Sequence, residues 1–231
     1  HMGRRTGWDN ADWLPVIGPS DTRERAHRAF PKAMESADFK RVRSDFVAAA
    51  ARVREGGFDA VELLSNSHLI GQFLSPLVNR REDKYGGSPE NRMRFLFDVL
   101  GDVRAGLGDD FIIGLRINGA ELRDGGLTVQ DGIDLAKAIE ASGLADFLNV
   151  VAGAPYDDLG LAEWVPPMGM PSAAHLGIVG QIRAETAMPV FHAGGIADLA
   201  TARHALREGA VDTAGMTGAL IAAPHPIATT P

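Results

Sequence analysis

Five times along this chain a short apolar run ends in glycine or polar residues, and a stretch of helical period follows. The runs are Phe58 to Leu64, Phe111 to Ile117, Asp146 to Val151, Pro189 to His192 and Val211 to Met216. This alternation constrains the fold more than any other feature. Strand, helix, strand in succession builds right-handed parallel βαβ units. The runs show little period-two alternation, so both faces of the sheet are expected to be buried, as in a barrel or a doubly wound sheet.

The helical stretches carry their own punctuation. Phe39, Val42, Phe46, Ala50 and Val53 share one face of a helix that begins near Ser36 and stops at Gly56-Gly57. Ser88-Pro89 opens a second as N-cap and first turn, with Met93, Leu96, Leu100, Val103 and Leu107 facing inward. Thr128, with Asp131 placed for a capping box, opens a third carrying Ile133, Ala136 and Ile139. A fourth is expected over Ser172 to Glu185, a fifth after an Asp198 cap, and a last near Ala219 that breaks at Pro224 and Pro226. Residues 1–33 show no period and read as a long loop. The charged run Arg80 to Tyr85 reads as a solvated structural loop.

Composition narrows the function. The 231 residues suffice for one domain, and a net charge of −7 with interspersed basic residues argues against nucleic acid or an anionic membrane as partner. No apolar run reaches transmembrane length, and no signal peptide precedes the first helix. With no cysteine, thiol nucleophiles, disulfides, Cys-based zinc sites and iron–sulfur ligation are excluded within the chain, and a cytoplasmic location is expected. No metal site is expected. Two glycine-bearing strand ends before the last two helices, Gly194-Gly195 and Gly215-Met216, resemble the phosphate site of (β/α)₈ barrels.

The stretch FLSPLVNRREDKYGGSPENRMRF, Phe73 to Phe95, resembles a signature of the Old Yellow Enzyme or NADH:flavin oxidoreductase superfamily. FIIGLRIN, PVFHAGGIAD and VDTAGMTGALIAAPHP follow in the family's order, and the resemblance runs from Met2 to about Pro226. HMGRRTGWDN, SHLIGQF and VFHAGG resemble the branch of demethylases acting on N-methylated amino acids and betaines. The resemblance implies an α/β fold, a TIM (β/α)₈ barrel, here incomplete: one partial FMN-binding domain over 1–231, with the family's first three strands missing. It implies FMN as cofactor, NAD(P)H as electron partner, and a small-molecule substrate. Exposed sheet edges would favour a homo-oligomer. The expected reaction is oxidative demethylation of a small N-methylated amine. The alternatives are an NAD(P)H-dependent enoate reductase and a paralogue that binds flavin weakly or not at all.

Arg116 closes an apolar strand, where an unpaired charge is costly. The resemblance implies that it meets the flavin pyrimidine edge; the alternative is a salt bridge to Glu121 or Asp124. Gly194, Gly195, Gly215, Met216 and Thr217 are implied to cradle the FMN phosphate, since glycine lets backbone N–H groups approach an anion closely. His192 either faces the flavin or fills the barrel mouth. Asn66 and His68 occupy the place of the family's substrate-binding His pair, but the segment is one residue shorter and lacks the first His. His68 is a candidate donor or proton carrier, or a residue packed over a loop. Tyr156, Trp164 and Met168 would wall an amine pocket by cation–π contact, or form a hydrophobic cluster under a loop. Two departures stand out: Gly218 where the family carries Arg, and Ala223 where it carries Asp.

Overall fold

The computed structural model describes Gly3 and residues 16–25, 28–167 and 169–225. Two short strands, β1 (Ile17–Gly18) and β2 (Lys32–Ala33), pair in parallel. Five more form one sheet: β3 (Ala60–Leu64), β4 (Ile112–Asn118), β5 (Phe147–Val151), β6 (Val190–His192) and β7 (Thr213–Ala214). The helices are α1 (Ser36–Glu55), α2 (Leu69–Leu74), α3 (Pro89–Leu107), α4 (Val129–Ser142), α5 (Asp158–Trp164), α6 (Leu176–Ala184), α7 (Leu199–Arg207) and α8 (Thr217–Ala222).

In the main sheet every strand pairs in parallel with the next in sequence, and the order never reverses. A doubly wound sheet reverses at a switch point; a barrel wall does not. The molecule is therefore an incomplete (β/α)₈ barrel. The caps follow the local sequence. Ser88, Thr128 and Asp198 each accept the backbone N–H three residues on, and Thr128 with Asp131 completes a capping box.

Register divides the strand residues between two faces. Val61, Leu63, Ile113, Leu115, Ile117, Leu148, Val150 and Val190 point to the helix layer, where Leu96, Val99, Leu100, Val103, Leu135 and Ile139 meet them. Nearly all are fully buried, each contributing about 1.5–3 kcal/mol of hydrophobic stabilisation. The opposite, inner face carries Glu62, Leu64, Gly114, Arg116, Asn118, Phe147, Asn149 and Phe191. Phe147 stacks on Phe191 with centroids 4.5 Å apart. A Cβ on Gly114 would lie 2.0 Å from the Phe147 ring, so only glycine fits beside that stack.

The N-terminal ends of the strands are tied by a repeated device. Asp146 accepts the Ile113 N–H at 2.7 Å and pairs with Arg104 of α3 at 2.7 Å. Asp212 accepts the Val190 N–H at 2.8 Å and pairs with Arg183 of α6 at 2.6 Å. One carboxylate thus joins a strand to the helix before it, twice.

Several sequence expectations are revised. Phe58 is 67% exposed, and β3 begins two residues later, at Ala60; only Leu63 of this strand is buried, so the inner face is open where burial on both faces was expected. Helix α6 starts at Leu176 rather than Ser172: the Ser172 hydroxyl and Ala173 N–H both donate to Gly195 O, and Ala173 takes a φ of +51°, which breaks the helical path. Residues 1–33 are not wholly loop, since β1 and β2 pair across them. The run Arg80 to Tyr85 is more than a solvated loop. Arg81 donates to Pro19 O and Met34 O, and buried Tyr85 stacks on Phe39 at 4.3 Å. Helices α2 and α5 lie where only loop was expected.

Candidate active site at the open barrel face

Three inner-face positions on adjacent strands hold polar side chains in otherwise apolar sequence: Glu62 in AVELL, Arg116 in IIGLRIN and Asn149 in FLNVV. They form one network. The Arg116 guanidinium meets Glu62 at 2.8 Å, and the Asn149 amide donates to the other Glu62 oxygen at 2.8 Å. Arg116 thus keeps neither of the carboxylates proposed for it from sequence. Asp124 is exposed, and Glu121 is buried elsewhere, accepting from Ser75, Leu127 N–H and the Tyr156 hydroxyl. The Arg116 side chain remains 38% exposed on the open side of the sheet, while its Nε is buried without a hydrogen-bond partner.

At the C-terminal ends of β3 and β4 the backbone turns sharply. Ser65 N–H donates to Arg116 O, and Ser67 takes a φ of +53°. Gly71 lets α2 press against this turn: a Cβ there would sit 2.7 Å from Ser65 and Asn66 backbone atoms. Asn66 is buried with neither amide atom hydrogen-bonded. Asn118 donates to the Ser67 hydroxyl at 3.4 Å, and its own oxygen is unmatched. Unmatched buried polar atoms cost about 1–3 kcal/mol each, so such a concentration marks a place built for something other than stability. His68 caps α2 by position and meets the Trp164 ring edge-on at 6.2 Å.

The remaining candidates are dispersed. Tyr156 is drawn to Glu121 at 2.7 Å, away from Trp164's ring contact with His68. Met168 lies outside the described residues. Alternation places His192 on the helix-facing side with Val190, opposite Phe191 and Arg116. It is fully buried, with Nδ1 2.7 Å from Val150 O and its ring 6.3 Å from that of His175. Burial lowers the pKa of both histidines below the ordinary value. The Gly194–Gly195 turn follows β6, and Gly195 has a φ of +69°. Gly215 N–H donates to His192 O at 2.7 Å, so this amide belongs to the sheet. The amides of Gly195, Met216 and Thr217 donate to no backbone carbonyl among the described residues. Glu62, Asn149 and Asn118 escaped the sequence reading. The available signal was polar residues at inward positions of apolar strands: Glu62 on β3, Arg116 and Asn118 on β4, and Asn149 on β5.

The profile of the NADH:flavin oxidoreductase / NADH oxidase family matches residues 1–229. The chain belongs to this family. It is 50% identical over 225 residues to a probable N-methylproline demethylase of Rhizobium meliloti, covering 97% of this chain and 33% of that protein. It is 46% identical over 226 residues to a multifunctional alkene reductase/demethylase of Caballeronia cordobensis, again covering 97% of this chain and 33% of that one. Among solved structures, a complex of 2-naphthoyl-CoA reductase with 2-naphthoyl-CoA superposes with a TM-score of 0.84 at 27% identity, covering 91% of this chain and 32% of that one. The chain thus spans about a third of the length of these relatives. Among the described residues no helix is long and apolar enough to cross a membrane.

Proposed function

We propose that this family member carries the Arg116 wall and the phosphate end of an FMN site, in a protein that oxidatively demethylates a small N-methylated amine. One observation carries the reading: a partly exposed arginine on the inner barrel face, at the same end of the parallel sheet as the turns at Gly194–Gly195 and Met216–Thr217. FMN presents a dianionic phosphate and a ring that gains negative charge on reduction. The side chains and amides here have the matching polarity. Gly195, Met216 and Thr217 would donate backbone N–H groups to the phosphate, while Gly194 and Gly215 let the chain pass close by. Gly215 supports the turn through His192 O instead of donating to the anion. FMN, when bound, would supply a hydride acceptor. The chain's task is to hold the ring, orient the substrate carbon and exclude water.

On the substrate side, Asn66 offers an unmatched amide, and His68 with Trp164 forms an aromatic edge suited to an amine. The identity to a probable N-methylproline demethylase supports an N-methylated amino acid as substrate. Alkene reduction with NAD(P)H is the second reading, favoured by the relative whose name joins both activities.

FMN titration by fluorescence quenching tests the proposal. Arg116→Ala is expected to weaken binding by roughly ten- to hundredfold, the equivalent of one charge-assisted hydrogen bond. Equal affinity in wild type and variant overturns the Arg116 assignment. Bleaching of bound FMN by N-methylproline without air, against bleaching by NADPH followed by recovery with an activated alkene, separates the two reactions.

A further inference from the structure

We infer that Glu62 is a positioning residue that aims Arg116 and cancels part of its charge. The inference rests on the flavin reading above for its effect, and on geometry alone for the positioning.

Glu62 is the only acidic side chain within the three strand segments AVELL, IIGLRIN and FLNVV, and both of its oxygens are used: one by Arg116 at 2.8 Å, one by Asn149 at 2.8 Å. The Asn149 amide pins the carboxylate from the far side, so the carboxylate cannot follow Arg116 if the guanidinium swings. An arginine otherwise loses much rotamer freedom when it is held, and a fixed partner carries that loss before any ligand arrives. The carboxylate also sets the field. A bare guanidinium beside an anionic ring favours the reduced flavin; a guanidinium with a carboxylate 2.8 Å away favours it less. Two substitutions separate these roles. Glu62→Gln keeps an acceptor at the same place without its charge. Glu62→Ala removes both.

Arg116 reactivity toward phenylglyoxal, followed by mass spectrometry on the 231-residue chain without flavin, reads positioning directly. Labelling is expected to rise at least threefold in Glu62→Ala and to stay near wild type in Glu62→Gln. Arg104, nearly buried, is the control: labelling there would signal a loosened fold rather than a released Arg116. The midpoint potential of bound FMN, measured against a reference dye during dithionite reduction, reads the charge. Glu62→Gln is expected to shift the preference for reduced flavin about tenfold, or about +30 mV for the two-electron couple. FMN affinity should fall in Glu62→Ala and hold or improve in Glu62→Gln. Unchanged Arg116 labelling in Glu62→Ala overturns the positioning role, and an unmoved potential in Glu62→Gln overturns the charge role. If no variant binds FMN, the flavin proposal fails with the charge role, while the labelling result still decides the positioning.

Discussion

Arg104 shows how much one side chain can hold. It is 8% exposed and donates to Leu144 O, Gly108 O, Phe111 O and the Asp146 carboxylate, joining the end of α3 to the starts of β4 and β5. Removing it strands three carbonyls and a carboxylate that accepts an essential strand N–H. Arg104→Ala is expected to lower the unfolding free energy by about 1.5–3 kcal/mol, the range for hydrogen bonds to a charged group, since Asp146 is 45% exposed and water takes the place of its partner; urea denaturation reads the loss. Arg183, in the equivalent place at Asp212, is more exposed and bonds fewer groups. Arg183→Ala should cost distinctly less. A similar loss in both would show that the strut, and not the burial of Arg104, sets the stability. The contrast with Arg116 is instructive. Both arginines pair with a carboxylate, but Arg104 spends its remaining donors on backbone carbonyls, while Arg116 has a buried Nε with no partner and a side chain 38% exposed.

Helix α8 carries Gly218, where the family resemblance implies Arg. It is a six-residue helix with no buried side chain, and a Cβ built on Gly218 meets nothing within 4 Å. Glycine is therefore not required there by space, and its φ is not in the left-handed region. Gly218→Arg should fold without strain and gain helix propensity of up to about 1 kcal/mol. If the phosphate lies at the Met216–Thr217 turn, the new guanidinium adds a charge-assisted donor and FMN affinity should rise by roughly tenfold or more in the same quenching titration. A rise in thermal stability with no change in FMN affinity would place the phosphate elsewhere. Helix α6 shows the limit of local pattern. Its apolar period was readable from Leu176, Val179 and Ile182, but its start was set by two hydrogen bonds to Gly195 O from across the barrel mouth. Helix α2 was missed because its six residues are wholly buried and so display no polar face to give a period.

The whole molecule carries two further expectations. His175 and His192 are buried side by side, and burial lowers both pKa values. In the unfolded chain each takes up a proton near pH 6.5; in the folded chain each does so at lower pH. The stability they support is thus fully present above about pH 6.5 and is lost as pH falls from there through their folded pKa values. The slope is at most about 1.4 kcal/mol per pH unit for each histidine. The midpoint of thermal unfolding should fall between pH 7 and 5, and His192→Gln should flatten that fall. The second expectation concerns association. Strands β3 and β7 pair on one side only among the described residues, and Leu64 and Ile112 are 37% and 44% exposed on the inner face. Open parallel edges beside apolar side chains invite pairing with another chain. Light scattering at micromolar concentration should return a dimer or larger species; a clean monomer mass would remove the argument.

Local pattern set the rhythm of the fold. Apolar runs, capping residues and glycines act through neighbours three or four positions away, so five strands, their parallel sense and most helix ends were readable from local pattern, and the Phe73–Phe95 motif pointed to the family. The sequence also marked Arg116 as a charge in an apolar strand, although the same signal at Glu62 went unused. The side-chain partners came from long-range packing. Glu62 and Asn149 lie 54 and 33 residues from Arg116 along the chain, yet strand register sets them beside it on one face. Register likewise turned His192 to the helix layer and left Phe191 inward, a distinction of one residue that composition does not carry. Tyr156 was drawn to Glu121 for the same reason: a buried carboxylate needs donors, and which donors reach it depends on where the loops meet.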